Sequence, residues 1–427
     1  MNGIAPNQSS DTPAAWRAHL EHAASWLAWI YLILLPMNIV LRGPLFAHDV
    51  LAPLLALVVL LRGNIRRWFR MPDILLPAFL AFAALSTLTH FGGMKDIYEL
   101  AIFAYMALLY AFFSETKLGS RDLQWYGFGL LATMWLFAAG QAVAGAQQTY
   151  GVYEDSTLGF IAKRFFFTFE HPNLLGSFYA LPVLCVLLSQ RGRFRVTSLP
   201  RWVLWAVAAS IALIPLGLTV SRHMLLSAAL LAAFFVGEQA KRMRTWRGIA
   251  LGAVALLFLP FYLMILYPFF PLQNQPPFFN HATFGMYTVH QVIYLKMILR
   301  SIFSAVFGVG RSTVFTLYPT FADWDTTHAI LSQYKQEFLA KSFTTYMDAH
   351  NEYLNIGASF GLPAVALAYG FWVATARDLF RRGCELALFL VVGLLLVSLW
   401  DDILSKRWIW ICLALLHART PCMHNPE

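Results

Sequence analysis

The chain has 427 residues, and at 48.2 kDa its length alone would allow two or three soluble domains. Hydrophobic residues make up 59% and charged residues only 12%, with a mean hydropathy of +0.59. A soluble domain carries roughly 25% charge, so a water-facing surface cannot be built here and the chain reads as a polytopic membrane protein. The net charge of +9 is spread over Lys and Arg between apolar runs, which points to membrane topology and away from nucleic-acid binding.

Residues 1–23 are polar and lack a basic stretch followed by an apolar core and a small-residue cleavage site. They read as a cytoplasmic tail and not as a removed signal peptide. A span needs about 20 mostly apolar residues. Candidates follow at 24–41, 47–61, 74–89, 97–113, 122–145, 172–190, 202–219, 223–238 and 248–267, then at 352–375, 385–400 and 404–418. The expected fold is all-α, with about twelve spanning helices. Transmembrane helices occupy 24–267, a long loop occupies 268–350, further helices occupy 351–418, and 419–427 is a short tail. No internal repeat is visible, which weighs against an inverted-repeat transporter.

Positive charge sets the orientation. The linkers 62–70, 114–121, 191–201, 241–247 and 376–382 hold more than half of the 31 Lys and Arg residues, and they are every second linker. By the positive-inside rule both termini are cytoplasmic. The 268–350 segment then faces the periplasm, with the protein in a bacterial inner membrane. Cys185, Cys384, Cys412 and Cys422 show no CxxC spacing, so neither a zinc site nor a disulfide framework is indicated.

The long loop opens with the Pro- and Phe-rich stretch PFFPLQNQPPFFN, which suits the membrane interface. Residues 289–306 read as one amphipathic helix carrying Lys296, Arg300 and Ser304 at i, i+4 and i+8, a pattern that lies along a bilayer surface. The stretch FGVGRST at 307–313 is a glycine turn and not a phosphate loop, because no GxxxxGK[ST] pattern follows.

Ionisable residues at span ends on one face carry the functional signal. They are Lys163, Arg164 and His171, then Arg222 and His223, Arg300 on the interfacial helix, and Asp348, His350 and Glu352 entering a span. One cavity opening to the outer leaflet would gather them. Arg222, in GLTVSRHMLLSAALL, is either a snorkelling span end or a grip for a phosphate. Guanidinium suits the second task because its planar fork makes bidentate bonds and keeps its charge. Lys163, Arg164, Arg300 and Arg311 are further candidates for contacting a diphosphate.

His350 lies in MDAHNEYLNIGASFGLP, and histidine is the side chain type that can take up a proton at neutral pH and return it. Asp348 or Glu352 would orient the ring, with Glu352 better suited to pairing with an arginine. Asp323 and Asp325 have the spacing with which sugar transferases hold a divalent metal, but in a short loop such a pair is more often a solvated turn. The cations can neutralise a diphosphate unaided, so no metal and no cofactor is expected. Asp401 and Asp402, with Lys406 and Arg407 following, read as a salt-bridged span end. Charges are nearly absent from the middle of the spans, which argues against a transporter or lipid-linked-sugar flippase.

The order of these features resembles the O-antigen ligase and polymerase superfamily of bacterial envelope glycosyltransferases. The matching pieces are His171-Pro172-Asn173 with Gly176, Ser221-Arg222, the Gly308-Val309-Gly310 turn, and His350-Asn351-Glu352-Tyr353-Leu354 followed by Gly361-Leu362-Pro363. They run from about residue 160 to 375, and His223 stands where a small residue is usual. The resemblance implies a GT-C type membrane enzyme of lipopolysaccharide biosynthesis. It would move O-antigen glycan from undecaprenyl diphosphate to lipid A–core oligosaccharide with inversion and without metal. It further implies that Arg222 binds the donor diphosphate, with Arg300 joining it, and that His350 is the catalytic histidine, supported by Asp348, Asn351, Glu352 and Tyr353. O-antigen polymerase and protein O-oligosaccharyltransferase share this chemistry. The latter usually carries a further C-terminal soluble region, whereas this chain is expected to end shortly after its last span.

Overall fold

The computed structural model describes residues 12–37, 39–42, 45–69, 71–143, 152–155, 162–165, 169, 172–190, 281–321, 349–399 and 401–419. The expected spans at 202–219, 223–238 and 248–267 lie outside these residues. Five helices fill the first stretch: α1 (Thr12–Leu34), α2 (Ala52–Arg62), α3 (Leu75–Thr89), α4 (Met94–Glu115) and α5 (Ser120–Val143). The short α6 (Pro172–Phe178) and α7 (Ala180–Gln190) follow. The loop region contributes α8 (His281–Ile298), α9 (Ile302–Phe307) and α10 (Arg311–Phe321). The chain closes with α11 (Glu352–Phe360), α12 (Leu362–Arg381), α13 (Glu385–Val397) and α14 (Arg407–Arg419).

Two helices among the described residues, Ala15–Met37 and Met94–Glu115, are long and apolar enough to cross a membrane. Shorter apolar helices run over Leu75–Thr89, Leu174–Ser189, Leu386–Val397 and Arg407–Ala418. The 22 residues of α4 make a rod of about 33 Å, close to the roughly 30 Å hydrocarbon thickness of a bilayer. Large apolar side chains such as Trp26, Leu60 and Leu88 are exposed on the outside of the bundle, as lipid-facing residues are.

Inside, α14 runs along α4 and α7, and α5 packs on α7. Aromatic side chains fill the seam between α4, α12 and α14: Trp372 and Trp410 meet at 5.1 Å between ring centroids, and Tyr110 meets Phe371 edge-on at 5.0 Å. At the C-terminal end of α4 the buried polar groups are paired, as burial requires. Arg67 bonds to Asp73 at 2.7 Å and to Ser114 at 3.0 Å, while Tyr110 reaches both Asp73 and His417.

Four details depart from the sequence reading. The first helix begins at Thr12, inside the stretch expected to be a tail. Its polar turns are made of helix formers, and Glu21 is tied to Arg62 through bonds of 3.0 and 2.8 Å. Second, two short antiparallel hairpins interrupt the all-α expectation, β1 (Val40–Arg42) with β2 (Leu45–Phe46) and β3 (Val152–Asp155) with β4 (Ala162–Phe165). Both lie in linkers between helices.

Third, the amphipathic stretch 289–306 is two helices and not one. The first ends at Ile298, and the Ser301 hydroxyl then accepts the Ser304 amide as the N-cap of the second. A serine satisfies such an orphan amide and so starts a new helix. Lys296 and Arg300 are exposed while Ser304 is buried, so the expected polar face does not continue across the cap. Fourth, the span 352–375 is broken at Gly361, whose φ of +92 lies in a region that favours glycine.

The expectation that Arg407 belongs with Asp401 and Asp402 at a span end is revised by a partner from far away in the sequence. Arg407 bonds to Asp49 through two hydrogen bonds of 2.8 and 2.6 Å. Its guanidinium lies over the rings of Phe46 and Tyr105, and Tyr105 is half-way along α4. The sequence separation between residues 49 and 407 hid this partner.

Candidate active site

Two glycine signatures, far apart in sequence, are pressed together to build the site. Gly308, at φ +73, lies so close to the turn between α11 and α12 that a Cβ there would stand 2.7 Å from the Ala358 carbonyl oxygen. The Val309 amide donates to that same carbonyl at 2.7 Å. Backbone packed on backbone in this way docks the FGVG turn onto the C-terminal end of α11, the helix that the HNEYL segment opens. It sets α8, α10 and α11 around one buried group of polar side chains.

The N-terminal end of α4 is clamped to this group by Asp96, which is buried. One carboxylate oxygen accepts the amides of Gly92 and Gly93 at 2.9 and 3.1 Å, and the other accepts the Ser312 amide at 2.7 Å. The carboxylate thereby serves the first turns of both α4 and α10, where helix N-termini favour negative charge.

One helical turn along α4, Glu99 accepts the Ser359 hydroxyl with both oxygens at 3.0 Å and pairs with Arg311 at 3.7 Å. Arg311 also donates to the Tyr294 hydroxyl and to Oδ1 of Asn355, each at 3.3 Å. Asn355 in turn donates to Asp402. A chain of charge-assisted bonds thus joins α4, α8, α10, α11 and the segment before α14.

His350 precedes α11 with φ +46, a left-handed conformation in which His is enriched among non-glycine residues. It sits between the buried Ala349 and the N-cap Asn351, whose Oδ1 accepts the Leu354 amide at 3.1 Å and whose Nδ2 donates to the Leu399 carbonyl at 3.2 Å. The cap pins the backbone on the C-terminal side of the histidine. The His350 ring stands 6.2 Å from that of His290, at 69°. His290 is buried in α8, and its Nδ1 is hydrogen-bonded to the Tyr318 hydroxyl. Burial pushes the Tyr318 phenol well above its ordinary pKa, so it stays protonated at neutral pH.

The remaining expected residues fall in different places. The buried Glu352 accepts the Leu404 amide at 3.0 Å, which ties the entry of α11 to the segment before α14. Tyr353 donates to the Leu395 carbonyl at 2.9 Å and stacks on Tyr369, which ties α11 to its neighbours. Arg300 is exposed in the turn between α8 and α9, beside the exposed Leu299, Ile302 and Phe303. Lys163 and Arg164 lie in β4, opposite Glu154 and Tyr153 of β3. Arg222, Asp348, His171, His223 and the Asp323/Asp325 pair lie outside the described residues.

The sequence reading passed over His290, Tyr318 and Glu99, and it assigned Asp402 to a span end. The available signal was polar residues at i and i+4, His290 and Tyr294, on the apolar face of an amphipathic helix. Among the described residues no group of His, Cys, Asp and Glu has the arrangement to hold a metal ion.

Residues 207–369 match the family model described as O-antigen ligase. This stretch is an O-antigen ligase-family domain. Its described part, α8 to α11 and the start of α12, is the part that builds the polar cluster around His290 and His350. No curated protein matches the chain. The match supports a place in the O-antigen ligase and polymerase superfamily and an enzyme of that type, and the apolar helices agree with a membrane protein.

Proposed function

We propose that the protein is an O-antigen ligase, an inverting and metal-independent transferase. It moves O-antigen glycan from undecaprenyl diphosphate to lipid A–core oligosaccharide. In this reading it works at the periplasmic face of a bacterial inner membrane, with both termini cytoplasmic and lipid around its spans. The observation that carries the proposal is the placement of His350 inside the ligase-family domain, in a left-handed turn fixed by the Asn351 cap and beside a buried polar cluster.

In the reaction a core hydroxyl loses its proton to the His350 imidazole and attacks the anomeric carbon from the face opposite the diphosphate. The carbon–oxygen bond to the diphosphate breaks with its electron pair, so configuration inverts. General-base assistance of this kind contributes about 10²- to 10⁴-fold. The departing diphosphate gains negative charge, and fixed cations stabilise it most where water is excluded. Arg222 is assigned the direct grip, with Arg300, Lys163 and Arg164 as further contacts. Arg311, held by Glu99, Tyr294 and Asn355, adds its charge to the cluster.

Glycan transfer by the purified protein, with lipid-linked donor and lipid A–core acceptor, tests the activity. The lipopolysaccharide ladder of a deletion strain tests the role. Loss of all capped core with donor-linked polymer accumulating is the expected result. A single repeat remaining on the core would assign polymerase instead, and transfer to a protein acceptor would assign the protein O-oligosaccharyltransferase.

A further inference from the structure

A histidine inside a helix bundle costs solvation that an apolar residue would not. His290 is 1% exposed, on a helix whose Ile293, Met297 and Ile298 belong to a buried apolar cluster. Its surroundings single it out from a packed core histidine in two respects. Its Nδ1 is bonded to the Tyr318 hydroxyl of α10, which fixes the plane of the imidazole. That fixed ring is the one set against His350, at 6.2 Å and 69°. Tyr318, also 1% exposed, is thus two steps from the half-buried His350 through one buried side chain.

We propose that His290, held by the Tyr318 hydroxyl, is a positioning residue that fixes the ring orientation of His350. A histidine side chain has several rotamers open to it, and His350 is half-buried. Edge-on contact with a ring held by Tyr318 favours one of them before substrate arrives. Preorganisation of this kind lowers the barrier without tightening ground-state binding. The inference deepens the ligase reading, on which its kinetic consequence rests; the geometric claim stands apart from it.

The test uses the full-length protein in lipid nanodiscs, with His290→Leu, His290→Asn and Tyr318→Phe. For glycan transfer, His290→Leu and Tyr318→Phe are expected to lower kcat about 10- to 100-fold while the donor KM stays within about twofold. His290→Asn keeps a polar atom near the position of Nδ1 and should recover part of the loss. A kcat above half of wild type in His290→Leu, or a raised KM at unchanged kcat, overturns the proposal. A second readout needs no turnover: the ¹⁵N imidazole resonances of His350, assigned by their absence in His350→Gln. They should shift or broaden in His290→Leu and Tyr318→Phe, and resonances unchanged in both overturn the proposal. If the wild-type protein transfers no glycan, the ligase reading fails and these resonances alone decide the role of His290.

Discussion

Arg407 and Asp49 form a bidentate pair, Nε to Oδ1 at 2.8 Å and Nη2 to Oδ2 at 2.6 Å, beside Tyr105 in the middle of α4. The Arg407 and Asp49 side chains are 18% and 8% exposed, and the guanidinium lies over the rings of Phe46 and Tyr105. The pair fastens the segment before α2 to the start of α14. Removing either partner leaves the other charge buried and unpaired. Asp49→Asn and Arg407→Ala are therefore each expected to lower stability by about 3–5 kcal/mol. Thermal unfolding in detergent checks this; a midpoint within a degree or so of wild type for both variants would show that the pair is not a staple.

The glycine docking of the FGVG turn makes a sharper contrast. A Cβ on Gly361 would stand 1.9 Å from the Val306 carbonyl oxygen, and φ is +92. At Gly63 φ is +63 but nothing lies within 4 Å. Gly63→Ala should cost only the left-handed backbone penalty of about 1 kcal/mol. Gly361→Ala must in addition push two backbones apart and is expected to cost about 3 kcal/mol or more. Denaturant unfolding of the two variants side by side decides it, and equal losses would contradict the close approach.

Asp96 accepts three backbone amides with two oxygens. Its carboxylate links α4 to α10 by bonds worth about 1.5–3 kcal/mol each when charge-assisted. Asp96→Ala should destabilise the region around α10 more than Asp96→Asn, which keeps one acceptor oxygen. Hydrogen exchange at the Ser312 amide reports this directly, and protection retained in the alanine variant would rule it out.

For the reaction itself, His350→Ala is expected to lower transfer by about 10² or more, and Arg222→Ala to abolish it, while both proteins still insert in the membrane. Near-normal turnover in either variant removes that residue from the mechanism.

Chelation offers a separate check. EDTA should leave the transfer rate unchanged, because cationic side chains are assigned the neutralisation of the diphosphate. A strict need for added divalent ion would instead bring Asp323 and Asp325 into the site.

Much of this was legible in the residues themselves. The apolar runs at 74–89 and 97–113 became α3 and α4 with shifts of a few residues at the ends, because hydropathy over a bilayer-length window is a strong local signal. The HNEYL segment marked a helix entry for a local reason too, since Asn351 is a good N-cap. The break at Ser301 was visible in principle and was outweighed by the surrounding apolar pattern.

Composition pointed to a chain that lives in lipid, the apolar runs marked several of its helices, and the HNEYL segment set His350 at the entry to one of them. Those properties follow from solvation and from hydrogen bonds between residues three or four apart. Only the tertiary structure decided that Arg407 answers Asp49, that Arg311 is held by Glu99, and that a second imidazole faces His350. Such partners are set by which helix faces meet in the packed bundle, and nothing in the spacing along the chain encodes that meeting.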